Sequence, residues 1–272
     1  MSKPKMYQVS TLQALAMGHT RPVIEVAELK KHGTTGLGTF AGVDGEMIML
    51  DGECFRAKED GTVVVAEENM GVPFASVSNF VGLRSREISG TEKETGTETG
   101  TETETETRTG TENGSASEAG VKNIETLKRI LNNMIEEDFG LNSMHVARID
   151  GEFNVVHARS ETAYHAIHVS LKDMLSETQK SFRFDDVKGT LVCVYYPDYM
   201  DGINAAGWHL HFISKDRTKG GHVFELEMKK GTVRLDKISN IELELPSEPV
   251  FDTYSLKNAS EDEIKKVEQG KE

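Results

Sequence analysis

Apolar residues recur along this chain with two periods, and the switch between them marks out its elements. At helical spacing, Leu12 and Leu15 in "TLQALAM" share one face, with Ser10 placed to cap the helix and Gly18 to end it. "EVAELKK" puts Val26 and Leu29 together before Gly33. In "VKNIETLKRILNNMIEEDFG" the residues Val121, Ile124, Leu127, Ile130 or Leu131, and Met134 return every three or four positions, which predicts a helix over 121–138 closed by Gly140. A further helix is predicted to begin near Ser170, after an extended lead-in.

Elsewhere the period is two. "GLGTFAGVDGEMIMLDGECFRAKEDGTVVVAEE" alternates strand-like runs with Asp-Gly pairs at 44–45, 51–52 and 60–61. That dipeptide suits the positive φ of tight hairpins, so an antiparallel meander is expected. "MHVARIDGEFNVVHARSE" reads as another Asp-Gly hairpin. "GTLVCVYYPDYMDGINAAGWHLHFIS", "GHVFELEMKKGTVRLDKI" and "NIELELP" predict three or four more strands, and the chain's last stretch a loop leading into a short charged helix. Strands outnumber helices, which points to a β-rich α+β protein of two packed sheets or barrels.

One tract has neither period. "SGTEKETGTETGTETETETRTGTENGSASEAG" offers almost nothing apolar to offset the roughly 1–2 kcal/mol per residue that ordering a backbone costs. It is expected to be a disordered acidic insertion, placed at 86–118. Composition follows from it. Hydrophobic residues make up only 37%, and of a net charge of −14 the stretch 86–120 supplies −6, from nine Glu against three Arg or Lys. A net acidic chain without a basic, aromatic-studded patch is a poor partner for nucleic acid or anionic membrane. Cys54 and Cys193 stand far apart in apolar runs and are expected to be buried free thiols. The N-terminal residues lack a signal-peptide pattern and no run reaches membrane-spanning length, so a cytoplasmic protein is expected.

The candidate chemistry lies in "GWHLHFISKDRTKGGHVFELEM". Residues i and i+2 of a strand point to one face, so His209 and His211 can converge on one ion while Leu210 and Phe212 turn away. His222 opens the next run, and the connection is long enough to fold back and bring it beside the pair. Three neutral imidazoles with a fourth position open are what a catalytic Zn²⁺ takes. The spacing alone leaves the metal open, because cupin-like iron, manganese and nickel proteins also use His-x-His in barrels. It also leaves open a non-enzymatic binding module with a structural metal. His145, His157, His165 and His168 lack comparable spacing and read as ordinary histidines.

That stretch, with "FDDVKGTLVCVYYPDYMDGI", "ARIDGEFNVVHARS" and "LKKHGTTGLGTFAGVDGEMIMLDGECFRA", resembles the α-acetolactate decarboxylase family over most of the chain outside the insertion, more weakly between 161 and 182. The resemblance implies a Zn²⁺ enzyme that turns (S)-2-acetolactate into (R)-acetoin and CO₂, in acetoin and 2,3-butanediol formation. It implies an N-terminal mixed or antiparallel sheet domain (1–85) packed on a small C-terminal β-barrel (119–272) that carries the metal, and a homodimer. The ligands would be His209, His211 and His222. Glu46 of the "GE" motif, Thr39 of "GTF", Arg159 and a tail glutamate, best matched by Glu268 in "VEQG", would complete the site. Where the family often has a proline-containing segment, this chain reads "SETAYHAIHVSLKD".

Overall fold

The computed structural model describes residues 4–89, 121–165, 169–253 and 255–256. In chain order the first part holds β1 (Lys5–Val9), α1 (Leu12–Ala16), β2 (Ile24–Glu25), α2 (Val26–Leu29), β3 (Thr35–Thr39) and β4 (Glu46–Leu50). Then come β5 (Glu53–Ala57), β6 (Val63–Val65), β7 (Gly71–Val72), β8 (Phe74–Ser78) and β9 (Arg84–Ser89). The second part holds α3 (Ile124–Asp138), β10 (Met144–Ser160), α4 (Leu171–Thr178) and β11 (Lys180–Tyr196). After a 3₁₀ turn at Asp198–Met200 follow β12 (Gly207–Ser214), β13 (Gly220–Ile238), β14 (Asn240–Glu244) and α5 (Pro249–Thr253). The protein is β-rich.

Seven strands form one mixed sheet in the order β14-β1-β8-β3-β4-β5-β6. The Asp-Gly pairs do make the expected meander, since β3, β4, β5 and β6 pair antiparallel in succession. The second sheet runs β10-β11-β12-β13-β9, and β10 also pairs with β13, so four long strands close into a ring of pairings. The two short strands β2 and β7 pair with each other.

Alternation along β12 sorts the side chains of the ring. Trp208, Leu210 and Phe212 join one cluster with Ile124, Leu127, Leu131 and Met134 of α3, the amphipathic helix read from its spacing. Burying each such aliphatic side chain contributes roughly 1.5–3 kcal/mol. The odd-numbered residues face the other way. Ile213 and Val192 pack on Ile48, Leu50, Phe55 and Ala57 of β4 and β5, which joins the ring to the seven-stranded sheet. Met6 and Leu37 extend that joint to Val146, Val194, Tyr196 and Ile238.

Four features depart from the pattern read in sequence. The cap of α1 is Thr11, whose side chain accepts from the Ala14 N–H, while Ser10 takes a φ of +56° and precedes it. Asn123 caps α3, so that helix begins at Ile124 rather than 121. The pair Asp150–Gly151 makes no hairpin, because β10 runs straight through it. Gly151 stands opposite Gly189 on one neighbour and Gly231 on the other, and a Cβ on Gly151 would come within 2.9 Å of the Lys230 carbonyl oxygen. The glycine answers close strand approach, not a turn. Finally, Arg86–Ser89 belong to β9 and pair with Val233, Thr232, Gly231 and Lys230 of β13, so the low-complexity tract does not start at 86. Its remainder, from 90 to 118, lies outside the described residues.

Nor do the sequence halves separate cleanly in space. β14, from the C-terminal half, pairs parallel with β1 at the edge of the first sheet, and β9 joins the second. Ahead of β9, the buried Asp236 carboxylate accepts from the N–H groups of Val81, Gly82 and Leu83 at 2.6–2.8 Å, clasping the crossing segment to β13. Both cysteines are buried and free, as expected, and burial pushes the Cys54 thiol up to about 12. No helix among the described residues is long and apolar enough to cross a membrane.

Candidate metal centre

Three strands in register build the site. On β13, His222 stands directly opposite His211 of β12 on one side and opposite Arg159 of β10 on the other. His209 lies two residues before His211, on the same face. The neighbouring Gly221 has a φ of +154°, and a Cβ there would meet the Arg159 carbonyl oxygen at 2.8 Å. A side chain at 221 would therefore push the strand bearing His222 away from the strand bearing Arg159.

The rings converge. His209 Nε2 lies 3.1 Å from His211 Nε2 and 3.1 Å from His222 Nδ1. The three nitrogens form a buried group, all within 4.8 Å of one another. Burial drives the His209 pKa down to about 3 and holds His211 well below its ordinary value, with the charge of neighbouring groups adding to the effect. His209 and His211 are accordingly neutral, the form that ligates a metal. His211 Nδ1 donates to the Met47 carbonyl oxygen at 2.8 Å, which fixes its tautomer and leaves the Nε2 lone pair for the cluster.

Glu46 begins β4 and reaches the same place. Its carboxylate oxygens lie 3.3 Å from His211 Nε2 and 3.7 Å from His222 Nδ1, with 12% of the side chain exposed. A tetrahedral ion with bonds of about 2.0–2.1 Å sets its ligand nitrogens about 3.3 Å apart, close to the 3.1 Å found here. Neutral lone-pair donors and a carboxylate converging on one point suit a cation. The residues fit a divalent metal.

Around this point lies a cleft of about 420 Å³, counted out to bulk solvent. Gly38, Thr39, Glu46, Arg159, Glu161, His209 and His222 form its polar side. Arg159 Nη2 approaches His222 Nε2 to 3.4 Å, and Thr39 Oγ1 donates to the Gly45 carbonyl oxygen at 2.9 Å. Leu15, Val43, Phe74, Leu171 and Leu175 form an apolar wall, backed by Leu12 and Met174. The wall includes α4, which supplies the rim in the stretch where the family resemblance is weakest. That helix starts at Leu171, beside the expected start near Ser170, and Ser170 caps it.

Of the residues singled out in sequence, His209, His211, His222, Glu46, Arg159 and Thr39 come together in one place. Glu268 lies outside the described residues. The reading missed Glu161, a carboxyl group 2% exposed in the cleft, and Gln179 at the end of α4. Neither carries a motif; only the position of Glu161 two residues after Arg159 hints at a shared face. Among the described residues, the other histidines singled out in sequence stand apart from the cluster. His145 is buried beside Phe139 and Tyr195, His157 leans on Phe224 and His165 is exposed, while His168 is outside the described residues.

Comparison with known proteins bears on the same residues. The α-acetolactate decarboxylase from Methanosarcina mazei is 34% identical over 97% of this chain and 80% of its own length. That from Bacillus subtilis is 31% identical over 93% of this chain and 86% of its own length. The crystal structure of the enzyme from Bacillus subtilis strain 168 superposes with a TM-score of 0.81 at 30% identity, covering 97% of this chain and 99% of the other. The family model for α-acetolactate decarboxylase matches residues 6–116 and 104–258, two stretches that overlap within the Thr/Glu-rich tract. Matches that span nearly the whole fold and include the imidazole cluster lead to one assignment: this chain belongs to the α-acetolactate decarboxylase family.

Proposed function

We propose that the chain is a zinc-dependent enzyme that decarboxylates (S)-2-acetolactate to (R)-acetoin and CO₂, in the formation of acetoin and 2,3-butanediol. The observation that carries this reading is the meeting of His209 Nε2, His211 Nε2 and His222 Nδ1 at one buried point between Glu46 and Arg159. The histidines would hold the ion on the face of a four-stranded barrel turned toward the N-terminal sheet. When bound, the metal supplies Lewis-acid charge for the oxygens on which negative charge builds as CO₂ leaves.

The protein's own groups do the rest. Arg159, 8% exposed, offers a two-pronged guanidinium to the substrate carboxylate and so orients the bond that breaks. Breaking it sends the electron pair toward the ketone oxygen and leaves an enediolate. Glu46 stands beside the metal point and returns a proton to the carbon that bore the carboxylate; Glu268 is the other acid that the family pattern brings to this role. Delivery from one side gives one enantiomer of acetoin. The wall of Leu15, Val43, Phe74, Leu171 and Leu175 excludes water and receives the substrate's methyl groups. Thr39 closes the polar side next to Gly45. The protein works in the cytoplasm as a homodimer; the edge of β14, which no other strand among the described residues pairs with and where Ile241 and Leu243 are exposed, offers a strand for pairing.

Acetoin release from racemic acetolactate, compared between wild type and His211→Ala, tests the reading. Turnover in the wild type and its loss in the variant are expected. Equal rates in the two proteins would remove the imidazole cluster from the chemistry.

A further inference from the structure

Arg159 and Glu46 come from different sheets, yet one hydroxyl lies between the strands that carry them. Ser160, the last residue of β10, is fully buried. Its Oγ accepts from the Glu46 N–H at 3.2 Å and donates to the Ala57 carbonyl oxygen at 2.8 Å. Glu46 and Ala57 are themselves a cross-strand pair of β4 and β5. The side chain thus links the N–H of one to the C=O of the other from a third strand.

The contact continues beyond β10. The Ala163 N–H donates to Asp44 Oδ1 at 3.2 Å, and Tyr164 N–H donates to the Gly42 carbonyl oxygen at 2.8 Å. Asp44 is held in turn by Arg56. Residues 160–164 therefore lie along the loop that leads into Glu46, and Ser160 is the buried end of that seam.

We infer that Ser160 is a positioning residue: its hydroxyl sets the backbone of Glu46 against the strand of Arg159, so that the carboxyl group and the guanidinium meet the substrate from fixed directions. The inference rests on the decarboxylation proposed above. A carboxyl group that starts a strand turns with its own peptide plane. Loss of the Glu46 N–H anchor lets that plane rotate and moves the acid relative to the reacting carbon. Displacement of about 1 Å costs up to 10²-fold in rate while leaving binding groups in place.

The test uses the full chain loaded with zinc, comparing wild type, Ser160→Ala and Ser160→Thr. In Ser160→Ala, kcat is expected to fall about 10- to 100-fold, with KM within about twofold and bound zinc unchanged. Ser160→Thr keeps the hydroxyl and is expected to restore most of kcat. Amide hydrogen exchange supplies a readout independent of turnover: the Glu46 N–H should exchange at least about tenfold faster in Ser160→Ala, with Ile48 unaffected. Should the alanine protein not fold, Ser160→Cys fills the same space and carries the same measurements. An unchanged kcat, a matching rise in KM, or a Glu46 amide that exchanges at the wild-type rate would overturn the inference. An inactive wild type would instead overturn the proposed reaction, and the exchange rates would still decide the seam.

Discussion

Removing the Thr/Glu-rich tract at the right boundaries should leave the enzyme intact and make it more stable. Ser89 pairs with Lys230, and Val121 bridges to Met228, accepting the Met228 N–H at 2.9 Å. The chain thus leaves β13 and returns to it two residues apart. One residue suffices to span that gap, so excision of 91–120 with Gly90 joined to Val121 continues a single strand beside β13. For a connection of about 31 residues, closure costs on the order of 3 kcal/mol relative to a direct join, from (3/2)RT ln n. The excised residues carry eight Glu against one Lys and one Arg, net −6, which takes the chain from −14 to −8.

Excising 86–118, the boundaries that the composition suggests, is a different operation. It removes Ile88, 3% exposed and worth about 2 kcal/mol of burial. It also removes Glu87, which accepts from Thr232 Oγ1 at 2.7 Å, and Arg86, paired with Glu137 at 2.7 Å. Urea unfolding followed by the fluorescence of Trp208, the single tryptophan, together with CO₂ release from acetolactate, compares the two. The 91–120 deletion should unfold at higher urea than the full chain, with unchanged turnover, and the 86–118 deletion should be less stable than the 91–120 deletion by several kcal/mol. Equal stability of the two deletions, or lost activity in the first, would refute the strand register on which the reasoning stands.

Two further predictions concern single side chains. Burial lowers the His145 pKa from 6.5 to about 4, so the unfolded chain binds a proton that the folded one refuses between those values. Stability is then full above about pH 6.5 and is lost as pH falls toward 4, by about 2 kcal/mol at pH 5. His145→Phe keeps the stack on Phe139 and Tyr195, and should show an acid loss of stability smaller by about that amount in urea titrations at pH 7.5 and 5; equal losses would contradict it. Arg159→Lys keeps the charge but not the fork, and should lower kcat/KM for acetolactate by about 10²-fold with bound metal unchanged; a loss under threefold would place the substrate carboxylate elsewhere.

Local signals in the chain proved readable where a side chain or turn answers to its immediate neighbours. The spacing of α3, the start of α4 near Ser170, the meander with its Asp-Gly turns and the common face of His209 and His211 all follow from such local rules. What stayed hidden depends on residues far apart in sequence. Asp150–Gly151 has a turn's composition but sits in a long strand because Gly189 and Gly231 face it. β9 reads as part of the acidic tract because only Ile88 of Arg84–Ser89 is fully buried. Ser160 and Glu161 carry no spacing of their own; their environment exists only once β10 lies against β4 and β5. Thr11 displaced Ser10 as a cap because its oxygen, not that of Ser10, meets an amide of the first turn.

The central claim is that a metal held by His209, His211 and His222 is required for CO₂ loss. Its most direct test measures zinc per chain and the rate of CO₂ release from acetolactate on the same samples, before chelation, after it, and after zinc is restored. One zinc per chain is expected, with the rate falling and recovering in proportion to the bound metal. A rate that persists once the metal has been removed would contradict the account.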